Sequence, residues 1–541
     1  MSATTGEQKR KEEETVNLDR LVVPIKENAR SSSLSKHERE AARASAFKSF
    51  MSRPLLHIRD TKQVLLIGMV GLPARGKSYM ANKLTRYLTW LGYRVQGFNL
   101  GKYRRGLIGA QQPSQFFDSS NTEGSTFRHD VANKALSDIR EFFDNGGQAA
   151  ILDATNSTKQ RRKLVSEFLK SLSIAHELIW VESICNDASL IETNIASTKL
   201  HSPDYEGKTQ QEAIADFKQR IEYYAKSYQT LDDEECGPDD SYIKLFDTGQ
   251  KMITYQIKGY LPSRIVFFLM NLQPKNRPIW FTRHGESEFN AAQKIGGDSD
   301  LTKRGQEYAR RLGEFMQEQP EISSNPQNLA IWHSTLKRTI ETAEHVYKTV
   351  KTPGLDTQTV VKWRALTEIN AGVFEGLTYD EIKVIDPDGF AARAKDKLNY
   401  KYPQGESYKD VIDRVERVIF ELERTQRAVL VIAHQAVVRC LYGYFLDLPL
   451  DQVPMVDIPL HTVIKLTPYA YGCKEERFLL MHDETDGPIP KDTLYVPPLV
   501  RQPSSAVSSP LPPPHHPTAI WQPPRLAPLP ISTFCCQLLL V

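Results

Sequence analysis

The stretch that decides the fold of the first half is residues 64–78, VLLIGMVGLPARGKS. Its first part, Val64–Val70, is a continuous apolar run, which is typical of a strand covered on both faces of a sheet. The run GLPARGKS, residues 71–78, has the spacing G-x-x-x-x-G-K-[ST], and the helical pattern Lys77–Leu91 follows. Because a strand precedes the loop and a helix follows it, the spacing predicts a phosphate-binding loop rather than a glycine-rich turn.

Such a loop binds a nucleoside triphosphate through its backbone. Glycines let backbone N–H groups turn toward phosphate oxygens, and the helix N-terminus adds the positive end of its dipole. Lys77 would bridge the β and γ phosphates of ATP, and the Ser78 hydroxyl would hold Mg²⁺. We therefore expect the whole loop to contact the nucleotide, through Gly71, Leu72, Pro73, Ala74, Arg75, Gly76, Lys77, Ser78 and Tyr79.

Four more apolar segments after this helix have the pattern of strands, and they are Val95–Leu100, Ala149–Asp153, Leu178–Ser183 and Ile243–Asp247. Helical stretches separate them. This alternation predicts a mainly parallel sheet with helices on both faces, because parallel strands need a crossover connection. The first half is therefore predicted to be an α/β domain of the P-loop NTPase type.

Two features at strand ends are candidates for the chemistry of this domain. Asp153 ends an apolar strand, where an aspartate either caps a helix or binds a metal ion, and beside a phosphate-binding loop the metal role is favoured. Arg104 and Arg105 follow the strand Val95–Leu100, and ligands bind at the carboxyl ends of strands in open α/β sheets. Adjacent arginines there suit an anionic phosphorylated acceptor, and a solvated basic loop is the alternative.

A second strand-and-helix pattern begins at Ile279–Phe281 and leads directly into Arg283 and His284. An imidazole can attack phosphorus and hold it as a phosphohistidine, and an adjacent arginine can clamp the phosphate oxygens. Since a lone histidine after a strand is usually structural, the hypothesis depends on three later residues. These are an arginine at a helix start, a carboxyl group and a second histidine at a strand end, namely Arg338, Glu368 and His434.

The remaining elements predict a second α/β domain. They are the helix Arg304–Gln319, the strand Leu329–His333, the helix Lys337–Val350, the strand Val429–Ala433, the helix Ala436–Phe445 and the strand Val463–Leu466. The proline-containing segment 262–278 is predicted to be the junction. We expect a disordered regulatory extension at 1–55, a kinase domain at 56–273, a phosphatase domain at 274–475 and a proline-rich disordered tail at 476–541.

Composition narrows the class of protein. The chain of 541 residues has a net charge of +3, with 40% hydrophobic and 25% charged residues, which is ordinary for a soluble protein and favours neither nucleic acid nor membrane as a partner. Its six cysteines form no paired Cys-x-x-Cys motif, so we expect reduced thiols and a cytoplasmic location rather than a disulfide framework or a zinc site. The first thirty residues lack the apolar core of a signal peptide.

The runs GLPARGKS, FNLGKYRR, LDATNST, SPDY and SYQTLD resemble the kinase half of the 6-phosphofructo-2-kinase/fructose-2,6-bisphosphatase family, and the resemblance is collinear over roughly residues 60–475. It implies a kinase that uses ATP and Mg²⁺, with fructose 6-phosphate as the acceptor. Cys185 in ESICND matches a catalytic-site cysteine of the family, and an ordinary buried cysteine is the alternative. The implied nucleotide contacts are Asn194 and Lys199, and the implied sugar contacts are Arg105, Arg128, Thr155, Arg161, Arg220 and Tyr224.

The run Arg283-His284-Gly285-Glu286 resembles the signature of the phosphoglycerate mutase/acid phosphatase superfamily, and the second half is similar to the bisphosphatase of the same bifunctional family. The resemblance implies that His284 is the nucleophile and that Glu368 is first the acid and then the base. Arg283, Arg338 and His434 would bind the transferring phosphoryl group, with no cofactor in this half. The implied substrate contacts are Asn290, Gly296, Tyr379, Arg393, Lys397, Tyr408, Gln435 and Arg439.

Four functions fit these motifs to different degrees. The leading prediction is a bifunctional enzyme that makes and destroys fructose 2,6-bisphosphate, which would control glycolytic flux. The alternatives are a kinase with an inactive phosphatase-like domain, a scaffold that binds ligands without turnover, and a nucleic-acid end-processing enzyme. Intact His284, Glu368 and His434 argue against an inactive phosphatase-like domain, and an intact Lys77 argues against a scaffold. The lack of a basic stretch with aromatic residues argues against a nucleic-acid enzyme. We also expect a homodimer, and either a solvated arm or a switch for regulatory protein kinases around serines 31–33.

Overall fold

The computed structural model describes residues 63–196, 203–237, 240–273, 277–350, 360–469 and 472–481. These residues form two compact units that divide between Phe267 and Phe268. Each unit has a mainly parallel sheet of six strands flanked by helices, so the predicted α/β fold class is confirmed. No helix within the described ranges is long and apolar enough to cross a membrane. The predicted extension at 1–55 lies outside the described residues, as does most of the predicted tail.

The first unit follows the predicted alternation of strands and helices. Its strands are β1 Val64–Val70, β2 Val95–Asn99, β3 Ala149–Asp153, β4 His176–Ile184, β5 Asp240–Phe246 and β6 Lys251–Tyr255. Its helices are α1 Lys77–Trp90, α2 Leu100–Ile108, α3 Thr122–Asp144, α4 Lys159–Lys170, α5 Ala188–Asn194 and α6 Gln210–Ser227. A further helix, α7 Tyr260–Met270, contains the point where the two units divide.

The order of strands in the first sheet is β2-β3-β1-β4-β5-β6. The first five strands run parallel, and β6 pairs with β5 in the antiparallel direction. Every residue of the central strand β1 is buried, as its apolar run predicts. The register places Asn99 beside Asp153 and Val70 beside Glu182, so the ends of β1 to β4 meet at one edge.

Helices occupy two segments of this unit that the sequence patterns did not predict to be helical. Arg104 and Arg105 lie within helix α2 rather than in a loop, because the Asn99 side chain caps that helix by accepting a hydrogen bond from the backbone of Lys102 at 2.9 Å. The two units divide within the predicted junction 262–278, and much of that segment is helical. Pro262 falls in the first turn of α7, where the missing N–H of proline leaves no helical hydrogen bond unmade.

The second unit begins with the predicted strand that precedes His284. Its strands are β7 Ile279–Arg283, β8 Leu329–His333, β9 Val360–Lys362, β10 Ala428–Ala433, β11 Thr462–Tyr469 and β12 Gly472–Leu479. Its helices are α8 Glu288–Ala291, α9 Lys303–Glu318, α10 Pro320–Ser323, α11 Lys337–Thr349, α12 Tyr379–Ile385, α13 Pro387–Lys395, α14 Tyr408–Arg424 and α15 Gln435–Phe445.

The order of strands in the second sheet is β12-β11-β7-β10-β8-β9. Strands β7 to β10 are parallel to one another, and β11 and β12 form an antiparallel extension. Residues 476–479, which the sequence analysis places in the tail, belong to β12, and Leu480 packs into the core. The register of β7 and β10 pairs Arg283 with Ala433, so His284 and His434 leave adjacent strands at the same edge.

We expect the core of the second unit to depend strongly on its central strands. Ile331 on β8 is 1% exposed, whereas Ile385 at the end of α12 is 62% exposed. Ile331→Ala should lower the free energy of unfolding by about 2–5 kcal/mol, because it removes buried methyl groups and leaves a cavity. Denaturant unfolding measures this, and Ile385→Ala is the matched control with an expected change of about 0.5 kcal/mol or less. Equal losses in the two variants would contradict this location of the core.

Candidate active sites

The phosphate-binding loop has the backbone geometry that its glycines permit. Gly71 has φ +132° and Gly76 has φ +78°, a region that side chains disfavour. A Cβ atom at Gly71 would lie 2.5 Å from the carbonyl oxygen of Ser183. Lys77 is buried, and its Nζ donates a hydrogen bond to the carbonyl of Leu72 at 2.6 Å, so the ammonium group lies across the loop.

Segments after the neighbouring strands hold the loop in this shape. The backbone N–H of Gly71 donates to the carbonyl of Thr155 at 2.9 Å, and the Asn194 side chain donates to the carbonyl of Ala74 at 3.2 Å. The hydroxyl of Ser183 donates to the carbonyl of Arg75. Asn194 was predicted near the nucleotide and Thr155 beside the sugar phosphate, whereas Ser183 was missed because its role depends on a contact between distant parts of the chain.

Asp153 lies at the end of β3, beside the loop. Its carboxylate accepts a hydrogen bond from the Asn99 side chain, and the side chain is almost completely buried. Ser78, the other predicted metal ligand, is the second residue of α1. A carboxylate and a hydroxyl are oxygen donors of the kind that Mg²⁺ prefers, so the residues present fit this ion.

A buried aspartate gathers three arginines near the end of β2. Arg104 donates to both carboxylate oxygens of Asp204 at 2.6 Å. Arg105 and Arg220 approach the same carboxylate at 3.7 and 3.5 Å. One carboxylate therefore orients three guanidinium groups, and the cluster retains a positive charge. Arg105 and Arg220 were predicted to bind the acceptor, whereas the role of Asp204 in the SPDY run was missed.

The other residues that were predicted to bind the acceptor lie around two neighbouring phenylalanines, Phe116 and Phe117. The guanidinium of Arg220 lies 3.6 Å from the ring centre of Phe117, and that of Arg128 lies 5.9 Å from the ring centre of Phe116. Arg161 donates to the carbonyl of Arg128 at 3.1 Å, and the Tyr224 ring is 5.9 Å from Phe117. Burial lowers the pKa of both Arg128 and Arg161, which indicates partly desolvated cations that an anion would stabilise.

Cys185 is buried at the start of the segment that follows β4. Burial raises the pKa of its thiol above the ordinary value, and nearby Asp247 raises it further. A thiol with a raised pKa is protonated at neutral pH and is a poor nucleophile. Burial and a raised pKa are typical of an ordinary buried cysteine, and the catalytic role that the resemblance implies for Cys185 stays a prediction.

The predicted nucleophile of the second unit, His284, is 3% exposed. Its Nδ1 lies 2.7 Å from the carbonyl oxygen of Gly285, which can only accept, so Nδ1 carries the proton. The lone pair is then on Nε2, to which Arg338 Nε donates at 3.1 Å. Burial and the charges of Arg338 and Arg283 hold the pKa of His284 well below its ordinary value, so the ring is neutral and nucleophilic.

The two predicted phosphate-binding arginines are fixed by backbone carbonyls. Arg283 donates to the carbonyl of Ile458 at 3.2 Å, and Arg338 donates to the carbonyl of Gly297 at 2.7 Å. The pKa of Arg283 is lowered to about 10, mainly by burial, while the charge of Glu368 opposes the shift and that of Arg439 adds to it. Because the carbonyls leave both positive charges unneutralised, this pocket favours a multiply charged anion.

The second histidine and the carboxyl group join the same pocket. The ring centre of His434 is 5.0 Å from that of His284, and its Nε2 lies 2.8 Å from the hydroxyl of Ser334. Glu368 Oε1 accepts from the backbone N–H groups of Ile369 at 2.8 Å and of Ala436 at 3.3 Å. Both bonds fall on Oε1, so a proton on this side chain would be carried by Oε2.

Arg414 clamps the loop that carries Glu368, and the sequence analysis missed this residue. It donates to the carbonyls of Ala365 at 2.5 Å and of Glu368 at 3.2 Å. It also pairs with both carboxylate oxygens of Glu406, at 2.8 and 3.1 Å. Glu406 in turn accepts from the backbone N–H of Asn370 at 3.0 Å, so the loop is held on both sides of Glu368.

A second basic cluster contains the predicted sugar-binding residues. Arg393 donates to the hydroxyl groups of Tyr402 at 2.7 Å and of Tyr379 at 2.8 Å. Arg439 donates to the hydroxyl of Tyr408 at 3.1 Å. Burial, followed by the charges of Arg439 and Arg393, lowers the pKa of Lys397 to about 8. The three cations therefore share one half-buried region and could bind a second phosphate.

Three other predicted residues have clear structural positions. Asn290 belongs to the capping box of α8, where its Oδ1 accepts from Ser287, so this oxygen is occupied within the helix. Gly296 has φ +68°, and a Cβ atom there would clash with the Glu375 carboxylate, which explains the glycine. Gln435 is the first residue of α15, directly after His434.

Comparison with known proteins agrees with this arrangement. The family model described as 6-phosphofructo-2-kinase matches residues 25–276, and that of the histidine phosphatase superfamily (branch 1) matches residues 279–479. The protein named 6-phosphofructo-2-kinase/fructose-2,6-bisphosphatase 4 from Rattus norvegicus is 45% identical over 434 residues, which cover 79% of this chain and 88% of that protein. Its namesake from Homo sapiens is 46% identical over the same shares of both chains. A 6-phosphofructo-2-kinase/fructose-2,6-bisphosphatase from Gallus gallus is 45% identical over 416 residues, which cover 77% of this chain and 84% of that protein.

The chain belongs to the 6-phosphofructo-2-kinase/fructose-2,6-bisphosphatase family. The family assignment from the quoted motifs is thereby confirmed, and the two units are a kinase and a histidine phosphatase. The family match begins at residue 25, within the segment that was predicted as an extension. Lys199, the predicted nucleotide contact, lies outside the described residues.

We expect the Arg414 clamp to be needed for the phosphatase of this family. Arg414→Met should lower kcat for hydrolysis about tenfold to hundredfold with little change in KM, because the loop that carries Glu368 loses its supports. Steady-state kinetics measures this, and Arg417→Met, an exposed change on the same helix, is the matched control. An unchanged kcat in folded Arg414→Met protein would show that Glu368 does not depend on the clamp.

Proposed function

We propose that this chain both synthesises fructose 2,6-bisphosphate from fructose 6-phosphate and ATP and hydrolyses it to fructose 6-phosphate and phosphate. The observation that carries the proposal is the presence of two phosphate-handling sites, one around Lys77 and one around His284, in two separate units of one chain. The relatives that match most of the chain carry both activities in their names, which supports the proposal.

In the kinase unit, the 2-hydroxyl oxygen of fructose 6-phosphate would attack the γ-phosphorus of ATP. The bond between this phosphorus and the β–γ bridging oxygen breaks, and the hydroxyl proton is released to water. Lys77 would hold the β and γ phosphates, and Arg105, Arg128 and Arg220 would bind the phosphate of the sugar. Mg²⁺, bound by Ser78 and Asp153, would supply charge neutralisation on the transferring group.

Positioning would supply most of the catalysis in this unit. A loose phosphoryl-transfer transition state asks little of a general base, because the nucleophile bonds weakly as the leaving bond breaks. Asp153 would have to give up part of its metal role to act as that base. The arginines that Asp204 and Phe117 orient would hold the acceptor in place. The reaction of two bound and oriented substrates is then effectively unimolecular, which lowers the entropic part of the barrier.

In the phosphatase unit, the His284 Nε2 lone pair would attack the phosphorus of the 2-phosphate. The bond from phosphorus to the sugar oxygen breaks, and protonated Glu368 gives its proton to that oxygen. Water then attacks the phosphohistidine, its proton passes to Glu368, and the phosphorus–nitrogen bond breaks. Arg283 and Arg338 would hold the phosphoryl oxygens through both steps, and the cluster of Arg393, Lys397 and Arg439 would hold the 6-phosphate.

We extend the proposal to the finer assignments of the sequence analysis. The kinase is assigned to residues 56–273 and the phosphatase to 274–475. A cytoplasmic enzyme that controls glycolytic flux follows from the proposed product, a regulatory sugar of glycolysis, and Cys185 and Cys236 are free thiols, as a reducing compartment favours. Assembly as a homodimer and regulation by protein kinases are further proposals, supported by the family resemblance alone.

We predict that Lys77→Met removes kinase turnover and leaves phosphatase turnover nearly intact. The methionine keeps the apolar part of the buried side chain and removes the charge that would bridge the phosphates. Assays of fructose 2,6-bisphosphate formation and hydrolysis on the same preparation measure both effects. A folded variant that loses both activities equally would refute independent sites.

We predict that the hydrolytic reaction passes through a covalent phosphohistidine at His284. Brief mixing with substrate labelled at the 2-phosphate should give acid-labile, base-stable label on the protein, as expected of a phosphorus–nitrogen bond. His284→Ala should abolish the label while the kinase persists, and His345→Ala, at a partly exposed histidine of the same unit, should keep it. Label on another residue, or full hydrolysis by His284→Ala, would contradict the mechanism.

We predict that the KM for fructose 2,6-bisphosphate rises as pH increases through about 8, the value to which burial lowers the pKa of Lys397. Below this pH the ammonium is charged and attracts phosphate, and above it the amine is neutral. In Lys397→Arg the charge persists, so the rise in KM should disappear over the same range. Parallel pH profiles of the two proteins measure this, and identical profiles would exclude Lys397 as the titrating group.

A further inference from the structure

The two ring nitrogens of His434 have different surroundings. Nε2 lies 2.8 Å from the Ser334 hydroxyl, whereas Nδ1 is buried and no described residue forms a hydrogen bond with it. Burial, together with the nearby charges of Arg338 and Arg283, holds the pKa of His434 well below its ordinary value. The ring is therefore neutral and carries a single proton, and the position of that proton decides which nitrogen can donate.

The Ser334 hydroxyl has one hydrogen and two lone pairs to distribute. One lone pair accepts the backbone N–H of Leu336 at 3.2 Å. The hydrogen and the other lone pair are shared between His434 Nε2 and Thr339 Oγ1, each 2.8 Å away. Ser334 therefore either donates to His434 and accepts from Thr339, or donates to Thr339 and accepts from His434.

The surroundings of Thr339 favour the first arrangement. Its hydroxyl also lies 2.8 Å from the carbonyl of Leu336 and 3.2 Å from the carbonyl of Ser334. Both lone pairs of the Leu336 carbonyl are taken, because it accepts from two backbone N–H groups of α11. The Ser334 carbonyl accepts from His333 Nδ1 at 2.7 Å and keeps one lone pair, but at 3.2 Å it is farther from the Thr339 hydroxyl than the Ser334 hydroxyl is, at 2.8 Å. The hydrogen of Thr339 is thus available to Ser334, and the hydrogen of Ser334 is available to His434 Nε2.

We propose that Ser334 is a positioning residue that holds His434 in the tautomer with its proton on Nδ1, and that this N–H donates to the phosphoryl group as it moves to and from His284. The inference rests on the proposed function, because the substrate supplies the acceptor. A phosphoryl oxygen can only accept a hydrogen bond, so it would be repelled by an Nδ1 lone pair and is stabilised by an Nδ1–H. With Ser334 donating to Nε2, the buried Nδ1–H gains its partner when the phosphoryl group is present.

The direct test is the tautomer of His434 in the full-length protein labelled with ¹⁵N-histidine. The His434 signals are those lost in His434→Asn. We expect a protonated Nδ1 and an unprotonated Nε2 in the wild type, and a shift toward a protonated Nε2 in Ser334→Ala. A protonated Nε2 in the wild type would overturn the proposal. The spectrum reports the tautomer whether or not the protein hydrolyses fructose 2,6-bisphosphate, so failure of this inference is distinguishable from failure of the proposed function.

Kinetics of the same variants tests the consequence. Ser334→Ala should lower kcat for hydrolysis about tenfold to hundredfold, as other losses of a histidine-orienting partner do. Ser334→Thr, which keeps the hydroxyl, should recover part of the loss, and the matched change Ser324→Ala, at an exposed serine, should have no effect. Unchanged turnover in Ser334→Ala would overturn the proposal, and so would a Ser334→Thr protein that keeps the wild-type tautomer but hydrolyses as slowly as Ser334→Ala.

Discussion

Both sites depend on one constraint, which is that parallel strands buried on both faces must all end at the same edge of their sheet. Strands β1 and β10 are completely buried, so neither can carry a polar side chain within its length without a partner. Polar residues are therefore concentrated where these strands end. The phosphate-binding loop, with Lys77, follows β1, and His434 follows β10 beside His284 at the end of β7. Two unrelated chemistries thus occupy equivalent positions in two sheets.

The electrostatic design of the two sites is also similar. Most of the arginines are held by backbone carbonyls, hydroxyl groups or aromatic rings rather than by their own carboxylates, so their positive charge is left for phosphate. The exception is Asp204, which orients three guanidinium groups but neutralises only one charge. In the phosphatase unit, burial and then the same positive charges hold the pKa of both imidazoles well below the ordinary value, so both are neutral. A neutral His284 is a nucleophile. The arginines that would bind the phosphoryl group therefore also help to keep His284 in the form that can attack phosphorus.

Sequence alone predicted the parts of the fold that depend on local patterns. The strands Val64–Val70, Ala149–Asp153 and Leu329–His333 have the predicted bounds, because continuous apolar runs between turn residues have few alternatives. Strands β6, β9 and β12 were missed, since their partly exposed edges give no such run. The helix α2 was missed because its first residue, Leu100, was counted as the end of the preceding strand.

The site was predictable where a motif carries the chemistry and not where distant residues support it. Lys77, His284 and Arg338 were named from their spacing and from the family resemblance. Asp204 and Arg414 were not named, because their roles depend on contacts between distant parts of the chain. Asp204 binds Arg104, which is about a hundred positions away, and Arg414 on helix α14 binds the loop that carries Glu368. The roles of the named residues stay predictions that the kinetic variants test.

The most direct test of two opposed activities in one chain is an assay of both directions on the purified full-length protein. Formation of fructose 2,6-bisphosphate would be followed with ATP and fructose 6-phosphate, and release of fructose 6-phosphate and phosphate would be followed with fructose 2,6-bisphosphate in the absence of ATP. We expect turnover in both assays, with formation dependent on ATP and hydrolysis independent of it. Turnover in only one direction at saturating substrate would contradict a bifunctional enzyme.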